Sequence, residues 1–218
     1  MFKRVTIEEI MIAAAQAGVE PAALLAVAEV ESGGRATARI ESRDEPLIRF
    51  EGHYFNLRLR GKKLAEARRQ GLAAAKAGAV KNPVTQAARW RLLARAIEID
   101  RDAALGSVSW GLGQVMGAHW EWLGFESVEA LVTEARGSVA GQVRLMLRFI
   151  EKSGLVEPLN AHDWDTFAYR YNGPLYRKYA YDRKMAAAWE KWRDRLLPGQ
   201  GPRSAIAHRL IDKTRAPL

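Results

Sequence analysis

The hydrophobic pattern changes period twice within the first fifty residues. Thr6 followed by Glu9 has the spacing of a capping box and predicts the start of a helix that Gly18 closes. Pro21 suits the first turn of a second helix over 22–31, which Gly33 and Gly34 stop. The period then falls to two. Ala36, Ala38 and Ile40 alternate with Thr37, Arg39 and Glu41, and after the turn-rich Ser42-Arg43-Asp44-Glu45-Pro46, Ile48 and Phe50 flank Arg49. Alternation on both sides of a turn predicts a β-hairpin over 36–51, the one β element the pattern supports.

Helical periodicity dominates the remainder. Residues 62–79 are rich in Ala, Lys and Arg, which suits a helix with little to pack. Asn82-Pro83 is read as the cap of a helix reaching about residue 101, with Leu92, Leu93, Ala96 and Ile97 inward. A Ser/Gly-rich connection over 107–117 follows, then predicted helices over 128–134, 139–152, 164–171 and 175–197. From Pro198 onward the chain carries three prolines and a short basic segment over 204–213 that could be helical. With no internal repeat, the expectation is one mainly α domain over 1–197 and a basic C-terminal tail over 198–218.

Composition narrows the function classes. Apolar residues make up 48% of the 218, enough for a globular core, and no run approaches the ~20 needed to cross a bilayer. The opening MFKRVTIEEIM is interrupted by Glu8 and Glu9 and does not read as a signal peptide, so a soluble cytoplasmic product is expected. Without cysteine there is no disulfide, thiolate site or cysteine nucleophile; four histidines without ligand spacing argue against a metal, and no cofactor is expected. The net charge is +9, and residues 57–95 hold eleven Lys/Arg against the single acid Glu66, a local excess of +10. Such a block fits a polyanionic partner (nucleic acid, an anionic membrane, a bacterial wall) or a solvated helix face.

One carboxylate stands apart. Glu31 follows Leu24, Val27 and Ala28 at seven, four and three residues, on the apolar stripe, whereas Glu29 faces nearly opposite. Desolvation and the negative end of the helix dipole both raise the pKa of an acid there, as general acid catalysis near neutral pH requires. The alternative is an ordinary helix-end glutamate bonded to Arg35 or the backbone. Two further segments, Ser109-Trp110-Gly111-Leu112-Gly113-Gln114-Val115-Met116 and Tyr169-Arg170-Tyr171-Asn172-Gly173-Pro174, combine glycines with aromatic rings and amides suited to sugar faces and acetamido groups.

Glu31-Ser32 closing an apolar helix, then Gly-Leu-Gly-Gln-Val-Met, then Tyr-Asn-Gly resembles the three-motif signature of soluble lytic transglycosylases and goose-type lysozymes. More closely, Val30-Glu31-Ser32-Gly33-Gly34, Arg49-Phe50-Glu51-Gly52-His53-Tyr54-Phe55, Ser107-Val108-Ser109-Trp110-Gly111, Gln114-Val115-Met116-Gly117 and Tyr171-Asn172-Gly173-Pro174-Leu175-Tyr176 resemble the N-acetylmuramidases of phage endolysins. The resemblance spans 6–192, departing over 57–81, where the family pattern expects a loop. It implies a lysozyme-like two-lobed α fold with a small hairpin after the catalytic helix. It also implies cleavage of the β-1,4 bond between N-acetylmuramic acid and N-acetylglucosamine, with Glu31 as proton donor.

Glycosidases generally employ a second carboxylate. Glu51 is the first candidate and Asp44 the second; Glu51 could equally be structural. Ser32, Ser109, Gln114, Tyr171 and Asn172 are candidates for holding sugars. Trp110 could stack on a sugar or fill the core, and Trp120, Trp122, Trp164, Trp189 and Trp192 are taken as packing residues. The expected partner is peptidoglycan, with the 57–95 block touching an anionic envelope; a monomer acting on the wall after holin-dependent release is expected. A lytic transglycosylase and a basic nucleic-acid-binding protein are the alternatives.

Overall fold

The computed structural model describes residues 1–197. The basic tail and the helix suggested for 204–213 lie outside the described residues. The chain runs α1 (Arg4–Gln16), α2 (Pro21–Ser32), β1 (Thr37–Ile40), β2 (Arg43–Pro46), β3 (Ile48–Phe50), α3 (Gly52–Arg58), α4 (Gly61–Arg69), α5 (Gln86–Ile99), α6 (Arg101–Gly106), β4 (Val108–Trp110) and β5 (Val115–Met116). A 3-10 turn (Gly117–His119), α7 (Val128–Gly137), α8 (Val139–Lys152), α9 (Val156–Asn160), α10 (Trp164–Asn172) and α11 (Tyr181–Leu196) complete it.

Two hydrophobic cores define two lobes. In the first, α2 is covered chiefly by α11 and α1, with α9 at its flank and α8 and α10 packed behind them, and its residues from Ala22 to Ala28 are all buried. A helix apolar on every side must be enclosed; burying Leu24, Leu25 and Val27 contributes about 1.5–3 kcal/mol each. Trp192, Phe167 and Met185 complete this core. The second core gathers Ile48 and Phe50 of β3, Phe55 of α3, Leu93 of α5, Trp110 of β4 and Leu131 of α7. Helix α8 serves both: Val143, Met146 and Ile150 face the first core and Leu145 the second.

The helical boundaries follow the expected order with shifts. Helix α1 begins at Arg4, with no side-chain cap, so Thr6 is a buried residue within it and not its N-cap. The Ala-rich stretch is helical only to Arg69; beyond it Gly71 (φ 71°) and Gly78 (φ 74°) turn the chain, and Leu72 and Ala73 are buried outside any helix. The helix expected from 175 begins at Tyr181, preceded by Ala180 in the left-handed region (φ 55°). Glu29 does not simply face water: Trp192 Nε1 donates to its Oε2 at 2.6 Å and Lys191 pairs with it.

The β structure differs most from the expectation. The hairpin joins β1 to β2, with Ile40 opposite Arg43 across a Glu41-Ser42 turn in which Glu41 takes φ 53°. Strand β3 belongs to a separate antiparallel sheet, pairing with β4 (Phe50 opposite Val108), which pairs with β5 (Ser109 opposite Met116). Two amides close the other edge of β3. Ile48 N donates to Gln86 Oε1 (2.9 Å) and Gln86 Nε2 to Ile48 O (3.2 Å). Phe50 N donates to Asn82 Oδ1 (2.9 Å) and Asn82 Nδ2 to Phe50 O (2.7 Å). Asn82 therefore imitates a neighbouring strand and does not cap α5, a role taken by Thr85, whose Oγ1 accepts from Ala88 N at 3.3 Å. Strand β3 leads directly into Glu51, so this edge fixes the second lobe's contribution to the cleft described below.

Replacing Asn82 with Ala should leave the Phe50 N–H and C=O without partners and cost about 2 kcal/mol, roughly a 4–8 °C fall in Tm. Asn82→Asp, which cannot donate to the carbonyl, should also destabilise. A thermal melt of the two variants indistinguishable from the parent would contradict this account of the strand edge.

Candidate functional site

A cleft of about 610 Å³ lies between the lobes. One wall comes from the first lobe: Glu31 at the end of α2, Tyr171 and Asn172 at the end of α10, and Pro174, Leu175, Tyr179 and Tyr181 from the connection into α11. The facing wall comes from the second lobe, with Arg49 and Glu51 at the end of β3, His53 and Tyr54 in α3, and Ser109, Gln114 and Met116 from β4 and its turn into β5.

Glu31 reaches the cleft because α2 ends in order. Ser32 Oγ donates to Ala28 O at 2.6 Å, and Gly33 takes the left-handed C-terminal position (φ 62°), so the chain leaves the helix one turn beyond the buried segment. The Glu31 side chain is largely enclosed by protein and lines the cleft. Desolvation lifts its carboxyl from the ordinary 4.5 to about 7, against the downward pull of a hydrogen bond from Asn172 Nδ2 to its Oε1 at 2.6 Å. Asn172 Oδ1 is itself buried and accepts no hydrogen bond. Tyr171 donates to Gly113 O at 2.7 Å and stacks on Phe167 at 5.2 Å; burial, with the Glu31 charge second, raises its phenol well above 10. A side chain at Gly113 would sit 2.9 Å from that hydroxyl and 2.7 Å from Met146 Cγ, which is why this position lacks one. Burial and the Glu31 charge also raise Tyr181.

On the facing wall Glu51 is held from both sides. Arg49 Nε donates to its Oε1 at 2.7 Å, and His53 Nδ1, buried and otherwise without a partner, lies 3.6 Å from its Oε2. The cleft brings together Glu31, Glu51, Ser109, Gln114, Tyr171 and Asn172 from the sequence candidates. Two candidates lie apart from it. Asp44 is exposed on the hairpin opposite Arg39, 3.6 Å from its guanidinium, and the Ser32 hydroxyl is consumed inside α2. Ser109 Oγ lies 3.1 Å from Met116 Sδ, and Gln114 Nε2 donates to Gly111 O at 2.8 Å, which keeps that amide in the turn at a left-handed φ of 46°. Trp110 fills the core, its Nε1 donating to Leu105 O at 3.2 Å. Of the tryptophans expected to pack, Trp122 is 44% exposed, while Trp164 and Trp192 are buried.

Sequence reasoning did not single out Arg49, His53, Tyr54, Met116, Tyr179 or Tyr181. The first three stand inside the Arg49–Phe55 motif and were within reach; Tyr179 and Tyr181 were masked by the helix expected over their segment. The 57–95 cations are largely engaged in structure: Lys63 pairs with Asp100 and Arg69 with Glu66, while Arg58, Arg60, Arg89 and Arg95 donate to backbone carbonyls. Among the described residues no helix is long and apolar enough to cross a membrane.

Comparison with known proteins accords with this geometry. A sequence profile described as N-acetylmuramidase matches residues 20–193, a range that contains every cleft residue named above. Comparison with curated proteins gave no match. Among solved structures the chain is similar to the crystal structure of the Burkholderia AP3 phage endolysin, at 31% sequence identity and a TM-score of 0.71, over 86% of this chain and 71% of that one. The mainly α, lysozyme-like fold with its small hairpin after α2 is thus an endolysin fold, and the chain belongs to the N-acetylmuramidase family of peptidoglycan-cleaving enzymes.

Proposed function

We propose that this enzyme hydrolyses the β-1,4 bond between N-acetylmuramic acid and N-acetylglucosamine, with Glu31 as general acid. The observation that carries the reading is a carboxyl whose burial raises its pKa to about 7 at the wall of a glycan-sized cleft. At neutral pH such a group still carries a proton in a large fraction of molecules and can deliver it to the glycosidic oxygen as the bond breaks. Asn172 orients the acid through Oε1, leaving Oε2 for the substrate. Glu51 is the second carboxylate on this reading. Its Oε2, not engaged by Arg49, accepts the proton of an attacking water or balances the positive charge developing on the sugar. Ser109, Gln114 and Tyr171 serve the sugar-binding wall. The exposed Lys62, Lys76, Lys81 and Arg91 supply the attraction to an anionic envelope.

A second reading has one observation in its favour. Because Glu51 is committed to Arg49, a single-acid lytic transglycosylase, in which the substrate's own 6-hydroxyl replaces water, fits the same cleft. Mass spectrometry of digested peptidoglycan separates the two. Reducing muramic acid ends are expected, and 1,6-anhydro ends would replace the first reading by the second.

Glu31→Gln should lower the lysis rate of outer-membrane-stripped cells at least about a hundredfold; retained lysis would remove Glu31 from the mechanism. The same substitution should raise stability in a pH-dependent way. The native state holds the Glu31 proton up to about pH 7 and the unfolded chain only to about 4.5, so the parent loses stability as pH rises between those values. Glu31→Gln should therefore melt like the parent at pH 4 and be stabilised by up to about 3 kcal/mol at pH 8. Parallel stability curves would refute the buried acid.

The kcat/KM profile of the parent should fall above about pH 7 as Glu31 ionises. Removing the hydrogen bond that lowers its pKa, by Asn172→Ala, should move this alkaline limb to higher pH. A limb that stays in place or moves downward would show that Asn172 does not tune the acid.

A further inference from the structure

His53 lines the cleft, yet its Nδ1 is buried and makes no hydrogen bond among the described residues. The charged oxygen beside it is Glu51 Oε2, at 3.6 Å. That spacing is too long for a hydrogen bond, but a small turn of either side chain closes it. A buried nitrogen left unpaired is costly, and a carboxylate oxygen is answered only by a donor, so Nδ1 gains most by carrying a proton toward Oε2.

The local fold brings these two residues together. Within a continuous helix, residues two apart do not face each other. Glu51, however, precedes α3 in a non-helical conformation (φ −111°, ψ 88°), and its side chain caps no N–H of that helix. Its backbone carbonyl accepts from Tyr54 N at 2.9 Å and Phe55 N at 3.1 Å, while its own N–H donates to Ser107 O at 2.8 Å. The residue is thus tied to the first turn of α3 and to the chain just before β4. Its carboxylate is free to turn toward Arg49 Nε, 2.7 Å from Oε1, and toward His53 on Oε2. The imidazole is confined as well. Its ring lies against Tyr54, with centroids 4.3 Å apart, and a Cβ on the preceding Gly52 would fall 2.4 Å from Val80 Cγ2.

We propose that His53 is a positioning residue for the second carboxylate: its Nδ1–H donates to Glu51 Oε2, fixes that oxygen in the cleft, and leaves Nε2 unprotonated. The inference rests on the reading of Glu51 given above. Arg49 alone holds one oxygen and lets the carboxylate pivot about it, whereas a donor on the other oxygen removes that freedom. A carboxylate oxygen has two lone pairs, so Oε2 can hold Nδ1–H and still accept from a water. The same bond decides which imidazole nitrogen carries the proton.

Nitrogen NMR of the parent enzyme tests the bond without any substitution. At pH 8, where an ordinary histidine is neutral, the His53 signals should show a proton on Nδ1 and a bare Nε2, with the spectrum of His53→Asn serving to assign them. A proton on Nε2 instead would overturn the proposal. Kinetics on soluble peptidoglycan fragments test the consequence. His53→Ala should lower kcat at least about tenfold with KM little changed. His53→Asn, whose amide nitrogen takes the place of Nδ1, should recover most of the rate; His53→Gln, whose amide reaches toward the position of Nε2, should not. Equal loss in all three variants, a loss confined to KM, or no loss in His53→Ala overturns the proposal. Glu51→Gln is measured alongside. Full activity there removes the second-carboxylate reading and this inference with it, whereas an inactive Glu51→Gln beside a fully active His53→Ala removes this inference alone.

Discussion

A carboxyl group kept out of water at the end of a helix that is itself entirely enclosed is the constraint on which the rest depends. Helix α2 has no solvated face over Ala22 to Ala28, so the first lobe is organised to cover it, and its end can emerge only where the lobes part. Glu31 stands at that emergence. Its proton is retained because the surroundings disfavour charge, while Asn172, arriving from the far end of the chain on α10, stops the shift from going further. A fully apolar pocket would hold the proton too tightly to give it up, and a wet one would not hold it at all. One amide hydrogen bond sets the balance between them.

The fold class, α2, the end of α1 and the exact span of α8 were legible in the sequence because hydrophobic periodicity and Gly or Pro punctuation agree there. Glu31 was legible as a misplaced charge on an apolar stripe, and Asn172 as part of a Gly/aromatic cluster. The second sheet was not. A three-residue strand such as Ile48–Phe50 has the same period-two signature whether it pairs with the strand before it or with one sixty residues later, and only tertiary packing decides. The strand's other neighbours are not strands. Asn82 and Gln86 supply donors and acceptors in the register of a ladder, and in sequence Asn82 before Pro83 is indistinguishable from a helix cap.

The basic block illustrates a related limit. Charge counted along the chain identifies an excess but not its disposition. Folding diverts Arg58, Arg60, Arg89 and Arg95 to carbonyls and Lys63 and Arg69 to carboxylates, which spends much of the block on structure. The arginine that lines the cleft, Arg49, comes from outside the block, from the middle of β3.

Helix α8 is the common wall of both cores, with Met146 on one side and Leu145 on the other. Rotating one lobe against the other would have to bend an unbroken fourteen-residue hydrogen-bonded rod or tear its side chains from a close-packed interior. The two sides of the groove are accordingly joined through a single span of backbone, and a substitution that disturbs the packing of α8 in either core is transmitted to the opposite wall.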